Sequence, residues 1–179
     1  MTKLSGEPGR IALIIPFFNE SKRFDFVKFS ELARTSSPIL DIFLADDGST
    51  DGLKESLEVF IGQNGITNAY LLSRKINEGK ANTIRFAINN IDIESYSHVG
   101  FTDADFSSPP REIIRLAEIA QKTKSFLVYG SRIRDGKNEI RTSKYRLWQG
   151  TVFTFLVQSL LRINLEDSQC GLKFFPVAL

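Results

Sequence analysis

A chain of 179 residues with 42% hydrophobic and 25% charged side chains has the composition of a globular protein, which excludes a disordered or fibrous one. Its 23 basic and 21 acidic side chains leave a net charge of +2, too small to indicate a nucleic-acid-binding protein. The single cysteine excludes an internal disulfide, and with only one histidine the chain is poorly equipped for a zinc site. The length fits one domain, and we expect the chain to form a single domain.

Short apolar runs alternate with amphipathic segments along the chain. The runs predicted as buried strands are 11–15, 39–45, 68–73, 98–102 and 126–130. The segments with helical spacing between them are 26–34, 53–61, 80–91 and 111–123. This alternation predicts an α/β fold with a mostly parallel central sheet flanked by helices. The most apolar later stretch, 151–163, is too short to span a bilayer and contains Gln158 and Arg162.

Polar or small side chains follow each predicted strand, at the edge where open α/β sheets bind ligands. The residues at these strand ends are, in chain order, Pro16, Phe18, Asn19 and Glu20, then 46–51, then 77–80, then Asp103 and Asp105, and finally Ser131 and Arg132. Five such strand ends on one edge predict a ligand site there.

Asp103 and Asp105 stand two residues apart in the stretch FTDADFSSPPRE, residues 101–112. In extended backbone their side chains would point to the same side, where the carboxylates repel each other unless a cation or a shared proton separates them. A hard divalent ion such as Mg²⁺ or Mn²⁺ suits such oxygens and leaves positions open for phosphate. We therefore expect this pair to hold a metal ion.

The same edge carries groups suited to anions and to a nucleobase. Gly79 at a helix start offers a backbone N–H, Lys80 adds a point charge and Arg132 offers a bidentate fork. Asp47 is placed to accept a hydrogen bond from the N–H edge of a base. No Gly-x-Gly-x-x-Gly or P-loop motif is present in the sequence. These groups together describe a nucleoside diphosphate bound with a divalent ion.

Six motifs in order resemble those of the family 2 glycosyltransferases: IIPFFNE, LADDGSTDG, NEGKAN, FTDADFSSPPRE, YGSR and DSQCGLKFF. The similarity covers residues 11–175 and is to the polyprenyl-phosphate branch, which includes dolichyl-phosphate glucosyltransferase and dolichyl-phosphate mannose synthase. It implies a GT-A fold and an inverting transfer of a hexose from a nucleotide-sugar to a polyprenyl or dolichyl phosphate. Because relatives continue past the KFF strand, we expect a C-terminally truncated domain. We also expect it to be peripheral to, or tethered at, the cytoplasmic face of a membrane.

The resemblance also implies roles for individual residues. The nucleotide would be bound by Pro16, Phe18, Glu20, Asp47, Gly79, Lys80 and Asp103. Asp103 and Asp105 would hold Mg²⁺ or Mn²⁺, Arg132 would face the diphosphate, and Arg146 and Lys173 would meet the acceptor phosphate. Asp105, Arg132 and Asp167 are the catalytic candidates.

Two departures from the family pattern bear on the donor. Phe18 stands where relatives often have Tyr, which keeps ring stacking but loses a hydroxyl contact. Ser107 stands where the mannose synthases often have Gln, so UDP-glucose is favoured and GDP-mannose comes next.

The acceptor leaves alternatives open. A phosphate is already anionic and attacks without a general base, whereas a sugar hydroxyl would need one, and Asp167 is the candidate for that role. The basic run 132–146 suits a lipid phosphate and an anionic membrane surface. The chain could instead bind nucleotide-sugars without independent activity. A phosphatase with Asp103 as nucleophile and Asp105 as acid/base is a third reading, which leaves DDGSTD and NEGKAN unexplained.

Overall fold

The structure is a computed structural model that describes residues 4, 6, 9–123, 125, 127–130 and 170–177. Its contacts divide the chain into two compact units, residues 1–128 with 172–179, and residues 129–171. Of the second unit only residues 129, 130, 170 and 171 are described, so the fold and the site below belong to the first.

The predicted alternation of strands and helices is confirmed within the described residues. The strands are β1 (Ile11–Phe17), β2 (Leu40–Asp46), β3 (Ala69–Ser73), β4 (His98–Phe101), β5 (Val128–Tyr129) and β6 (Lys173–Pro176). The α-helices are α1 (Phe26–Ser36), α2 (Leu53–Gln63), α3 (Lys80–Asn90) and α4 (Pro110–Lys122). Strand β5 is shorter than the run predicted from the sequence. None of the described helices is long and apolar enough to cross a bilayer, and the stretch 151–163 lies outside the described residues.

The sheet has the strand order β3-β2-β1-β4-β6-β5, and its first four strands in this order pair in parallel. Strand β6 pairs antiparallel with β4, so that Lys173 lies opposite Phe101. A glycine is needed in β4 for this pairing, because a Cβ on Gly100 would lie 2.3 Å from Cδ1 of Phe174. The expected mostly parallel sheet is therefore confirmed, with one antiparallel strand added.

The core lies on the two central strands. Every residue of β1 and β2 is buried, as expected for parallel strands covered on both faces. Helix α3 packs against these strands in an apolar cluster that includes Ile14, Phe43 and Ala87. Helix α4 buries residues spaced for one helical face, namely Pro110, Ile113, Leu116, Ala117 and Ala120.

A buried polar network fixes β1 and β2 at the edge where these strands begin. The guanidinium of Arg10 lies 2.6 Å from Asp41, and it also donates hydrogen bonds to the carbonyls of Ser37 and Leu40. The hydroxyl of Tyr96 donates to the other oxygen of Asp41 at 3.1 Å. Burial, together with the charge of Asp41, raises the pKa of Tyr96 well above its ordinary value, so the hydroxyl keeps its proton.

We expect Asp41→Asn to lower the free energy of unfolding by about 3 kcal/mol, because it leaves the largely buried guanidinium of Arg10 without its counter-charge. Urea denaturation followed by circular dichroism measures this difference. Glu118→Gln is the control, since it breaks an exposed ion pair with Lys122 and should cost less than about 1 kcal/mol. Equal effects of the two substitutions would contradict the structural role given to Asp41.

Candidate functional site

The cleft at the carboxyl edge of the sheet exists because two neighbouring strands end at different heights. Strand β4 ends at Phe101, which pairs with Ile14, whereas β1 continues to Phe17. The amide of Thr102 still donates to the carbonyl of Ile14 at 3.1 Å, and beyond it no strand of the described part continues the ladder on this side of β1. The space left above β4 is a cleft of ≈ 350 Å³. It is lined by Pro16, Phe17, Phe18, Glu20, Arg23, Asp47, Asn77, Gly79, Lys80, Thr83, Asp103, Ala104 and Asp105.

The loops after β1 and β2 hold each other through hydrogen bonds between side chains and backbone. Asn19, in a left-handed conformation at φ 52°, accepts from the amide of Thr50 at 2.8 Å, and its own amide donates to the hydroxyl of Ser49 at 3.0 Å. Asp51 accepts from the amide of Ser21 at 2.7 Å. Desolvation acts to raise the pKa of Asp51, but hydrogen bonds from the Ser21 and Leu53 amides outweigh it and lower the pKa. These contacts fix the wall of the cleft that carries Phe18 and Glu20.

Asp46 and Asp47, adjacent in sequence, hold different parts of this edge. Asp46 is buried and accepts from the amide of Ser49 and from the hydroxyl of Ser73, both at 2.9 Å. Asp47 is only 3% exposed and accepts from the amides of Glu78 and Gly79 at 3.1 and 2.7 Å. Asp46 therefore ties the end of β2 to the end of β3, and Asp47 ties it to the β3–α3 loop. Asp47 also lines the cleft, as predicted from the sequence.

The β3–α3 loop lies directly on Gly48. A Cβ at this position would come within 3.1 Å of the amide nitrogen of Ile76, and its φ of +81° is one that residues with side chains rarely adopt. The close approach explains why a glycine follows the two aspartates.

The amide of Gly79, expected from the sequence to face an anion, has protein partners in this structure. It donates to Asp47 at 2.7 Å and also lies 3.1 Å from the side-chain oxygen of Asn77. Gly79 caps α3 and lines the cleft, but an incoming anion at this helix start would meet the ammonium group of Lys80 instead of the Gly79 amide.

Arg74 is an ion-pair partner of Asp47, a role that sequence reasoning missed. One guanidinium nitrogen lies 3.7 Å from Asp47, the other pairs with Glu78, and the group lies 5.4 Å from the centre of the Phe86 ring. Its Nη1 atom is buried without a hydrogen-bond partner. The signal in the sequence was a basic residue placed directly after strand β3, within the RKINEGK stretch.

The backbone of the acidic pair differs from the expectation. Asp103 and Asp105 do not lie in extended backbone, because β4 ends at Phe101 and a turn follows, in which the Phe106 amide lies 3.3 Å from the Asp103 carbonyl. Phe106 takes a left-handed φ of 49°, and its ring is buried against that of Phe24, with a centroid distance of 5.5 Å. The extended geometry was therefore a wrong premise, although both carboxylates do line the cleft.

Each carboxylate of the pair has a cationic side chain beside it. The ammonium of Lys80 contacts Asp103 directly, and the guanidinium of Arg23 lies 3.6 Å from Asp105. Arg23 also lies 3.4 Å from Glu20, whose Oε2 atom is buried and makes no hydrogen bond. Sequence reasoning missed Arg23, because ESKRFD resembles an ordinary solvated loop. The amide of Ser107 donates to Asp105 at 2.9 Å, so Asp105 caps this turn and not helix α4.

The chemistry of the acidic pair fits a hard divalent ion. Asp103 and Asp105 are 40% and 37% exposed at their side chains, so their oxygens are accessible from the cleft. Across the described residues, no group of three or more His, Cys, Asp or Glu side chains is arranged to hold a metal. Two carboxylates with water and substrate phosphates would be the usual way for a protein to bind Mg²⁺. The residues present therefore fit such an ion, provided that Lys80 and Arg23 give way.

The cleft brings together eight of the residues predicted from the sequence, which are Pro16, Phe18, Glu20, Asp47, Gly79, Lys80, Asp103 and Asp105. Lys173 begins β6 opposite Phe101, which puts it at the same edge of the sheet, although it does not line the cleft. Arg132, Arg146 and Asp167 lie outside the described residues.

An acidic cleft with flanking cations at the carboxyl edge of a mostly parallel sheet places the chain in the class of open α/β proteins that bind ligands at their strand ends. Within that class the chain belongs to the family described as "Glycosyl transferase family 2", whose sequence profile matches residues 12–178. The resemblance noted in the motifs is therefore confirmed.

Two named relatives share most of this chain. The undecaprenyl-phosphate 4-deoxy-4-formamido-L-arabinose transferase of Pseudomonas paraeruginosa is 30% identical over 168 residues, which cover 92% of this chain and 46% of that protein. The dolichyl-phosphate beta-glucosyltransferase of Dictyostelium discoideum is 25% identical over 177 residues, which cover 92% of this chain and 53% of that protein. The chain thus spans about half the length of these relatives.

A solved structure shows the same fold. Glucosyl-3-phosphoglycerate synthase from Mycobacterium tuberculosis, crystallised with Mn²⁺, UDP and glucosyl-3-phosphoglycerate, superposes with a TM-score of 0.53 at 18% identity. The match covers 94% of this chain and 57% of that protein. The fold of the chain is accordingly the GT-A type that the motifs implied.

We expect Asp47→Asn to loosen the β3–α3 loop. Each carboxylate oxygen of Asp47 accepts one backbone N–H, and an amide NH₂ in place of one oxygen leaves one of these N–H groups without an acceptor. The loss should be about 1–3 kcal/mol of local stability. Hydrogen exchange measured by mass spectrometry should show faster exchange in residues 74–82.

Asp25→Asn is the matched control for this substitution. Asp25 also accepts two amide hydrogens, from Val27 and Lys28, but it does so at the start of α1 as a helix cap. Asparagine is a good cap, so exchange in α1 should change little and exchange in residues 74–82 not at all. Unchanged exchange in 74–82 of Asp47→Asn would show that Asp47 does not hold this loop.

Proposed function

We propose that this chain is the catalytic domain of a metal-dependent, inverting glycosyltransferase that transfers a hexose from a nucleotide-sugar to a polyprenyl phosphate. The observation that carries the proposal is the cleft, in which the carboxylates of Asp103 and Asp105 lie with Lys80 and Asp47 at the carboxyl edge of the sheet. Membership of the family supports the reaction type.

UDP-glucose is the favoured donor, ahead of GDP-mannose, and the surroundings of Asp47 add a reason. Both of its oxygens already accept an amide hydrogen, and the residue is only 3% exposed. Asp47 can therefore accept few further hydrogen bonds, and a ligand can reach it only at its small exposed surface. The ring of uracil presents a single N–H donor, whereas guanine presents an N–H and an amino group side by side. The single donor therefore suits Asp47 better, and Phe18, 41% exposed in the cleft, offers a ring on which the base can stack.

Asp103 and Asp105 are the proposed ligands of Mg²⁺ or Mn²⁺. Such an ion neutralises charge on a diphosphate and so makes it a better leaving group. A protein of the same fold was crystallised with Mn²⁺ and UDP, which supports the use of a divalent ion. Arg132 is proposed to face the same diphosphate, as the resemblance implied.

The names of the two relatives, which act on undecaprenyl phosphate and dolichyl phosphate, support a polyprenyl phosphate as acceptor. An acceptor of this kind is anionic and attacks the sugar without a general base. Lys173, at the edge of the sheet that carries the cleft, is a proposed phosphate contact, together with Arg146. The basic run 132–146 would meet the anionic surface of the cytoplasmic face of a membrane.

We expect the protein to transfer glucose from UDP-glucose to a short-chain polyprenyl phosphate in detergent, to do so faster than mannose from GDP-mannose, and to stop when EDTA is added. Asp105→Ala should lower the rate by about 100-fold or more, since it removes a proposed metal ligand. Glu112→Ala is the control, because Glu112 is an acid of helix α4 that pairs with Arg115 outside the cleft.

Each other outcome of this assay contradicts part of the proposal. If the sugar were transferred only to a sugar hydroxyl, and Asp167→Asn abolished this transfer, the acceptor would be a hydroxyl and not a polyprenyl phosphate. Binding of UDP-glucose without any transfer would indicate a nucleotide-sugar-binding domain. Hydrolysis of an aryl phosphate in the absence of nucleotide binding would point to a phosphatase and reject the proposal entirely.

A further inference from the structure

We propose that Lys80 and Arg23 act as exchangeable counter-ions of the acidic pair. In the unliganded protein they balance Asp103 and Asp105, and when the donor binds they pass from these carboxylates to its diphosphate. The protein would then bind a divalent ion poorly alone and well together with the nucleotide. The inference rests on the proposed function in one respect, namely that the ligand carries a diphosphate.

The pairing of the four side chains is the first observation. Lys80 contacts Asp103, and Arg23 lies 3.6 Å from Asp105, so each carboxylate of the pair has a cation beside it, although Arg23 is shared with Glu20 at 3.4 Å. These two cations come from different loops, one after β1 and one at the start of α3. Lys80 contacts Oδ1 of Asp103, and Arg23 lies near Oδ2 of Asp105, so each cation stands beside one carboxylate oxygen of the pair.

The balance of charge in the cleft is the second observation. Asp47 is paired with Arg74, which leaves Glu20, Asp103 and Asp105 against Arg23 and Lys80 among the lining residues. Three negative and two positive charges leave one net negative charge. A divalent ion arriving alone would find little uncompensated charge and two cations that repel it. A diphosphate, by contrast, brings enough negative charge to attract both cations away from the carboxylates.

Both cationic side chains are able to move without disturbing the core. Their side chains are 48% and 64% exposed, and each has a long flexible stem. Arg74 differs in this respect, because its side chain is only 12% exposed and lies over the ring of Phe86. Lys80 and Arg23 are therefore suited to exchange partners, whereas Arg74 is suited to stay in place.

The consequence is a coupling between the two ligands of the cleft. If the diphosphate draws Lys80 and Arg23 away, it raises the affinity of the carboxylates for the metal, and the metal must raise the affinity for the diphosphate by the same factor. Free metal would then not occupy the acidic pair ahead of the donor.

The test measures Mn²⁺ binding to the whole protein without nucleotide, by the electron paramagnetic resonance signal of free Mn²⁺. Lys80→Met should bind Mn²⁺ on the order of ten-fold more tightly than the natural protein, and Arg23→Met should also bind it more tightly. Lys80→Arg should restore the weak binding. Lys122→Met is the matched control, because it removes one positive charge from an exposed ion pair on α4, outside the cleft.

A second arm measures binding of inorganic pyrophosphate by calorimetry in the presence of EDTA. The same Lys80→Met substitution should weaken this binding by roughly five-fold or more, because the ammonium that strengthens the anion site is gone. Opposite signs in the two arms are the expected result, since a general loss of structure would weaken both ligands.

Equal Mn²⁺ affinities of Lys80→Met and the natural protein would overturn the inference, as would equal tightening by Lys122→Met. Unchanged pyrophosphate binding would overturn the exchange onto the diphosphate. Neither arm uses a sugar, a base or an acceptor, so failure of the glucose-transfer assay with both arms positive would reject the proposed function alone.

Discussion

The early end of strand β4 is the constraint on which the site depends. Because β4 stops opposite Ile14 while β1 runs on to Phe17, one side of β1 is left without a strand at the height where α/β sheets bind ligands. Pro16 and Phe17 line the resulting cleft, together with the turn that carries Asp103 and Asp105. The left-handed Phe106, packed against Phe24, closes this turn through its amide, which lies 3.3 Å from the carbonyl of Asp103.

The acidic side chains at this edge fall into two groups that differ in their hydrogen-bond partners. Asp46, Asp47 and Asp51 accept hydrogen bonds from backbone amides and hydroxyls, and through them three loops become one surface. Within the described residues, the side-chain partners of Asp103 and Asp105 are two exposed cations and one turn amide. A motif such as DDGSTD is therefore mainly a framework for the cleft, whereas the acidic pair is left available for a ligand.

Sequence reasoning predicted the fold well because hydrophobic periodicity reports burial directly. The short, largely apolar runs of β1 and β2 indicated buried strands by their length, and the spacing of Ile113, Leu116 and Ala120 in α4 indicated one buried face of a helix. Chain topology then placed the polar strand ends at a common edge, which is why eight of the predicted residues line one cleft.

What sequence could not supply was the partner of each charge. Arg23 and Arg74 form ion pairs with residues far from them in the chain. Arg23 pairs with Asp105, and Arg74 pairs with Asp47. Neither pairing leaves a local pattern, because loop packing decides it. The same limit applies to Gly79, whose amide was expected to be available to an anion, and to the turn at Asp105, where Phe106 overrides strand geometry.

Charged side chains are paired differently at the two ends of the strands, and this difference links stability to function. At the edge where β1 begins, Arg10, Asp41 and Tyr96 satisfy one another inside the protein, and they fix β1 against β2 without any ligand. At the cleft, Glu20 keeps a buried oxygen without a hydrogen bond, and the acidic pair relies on exposed cations. The first edge can hold the strands in register while the second remains electrostatically incomplete. An incomplete site of this kind gains most from a ligand that brings both a divalent cation and a polyanion, because that combination satisfies the carboxylates and the cations together.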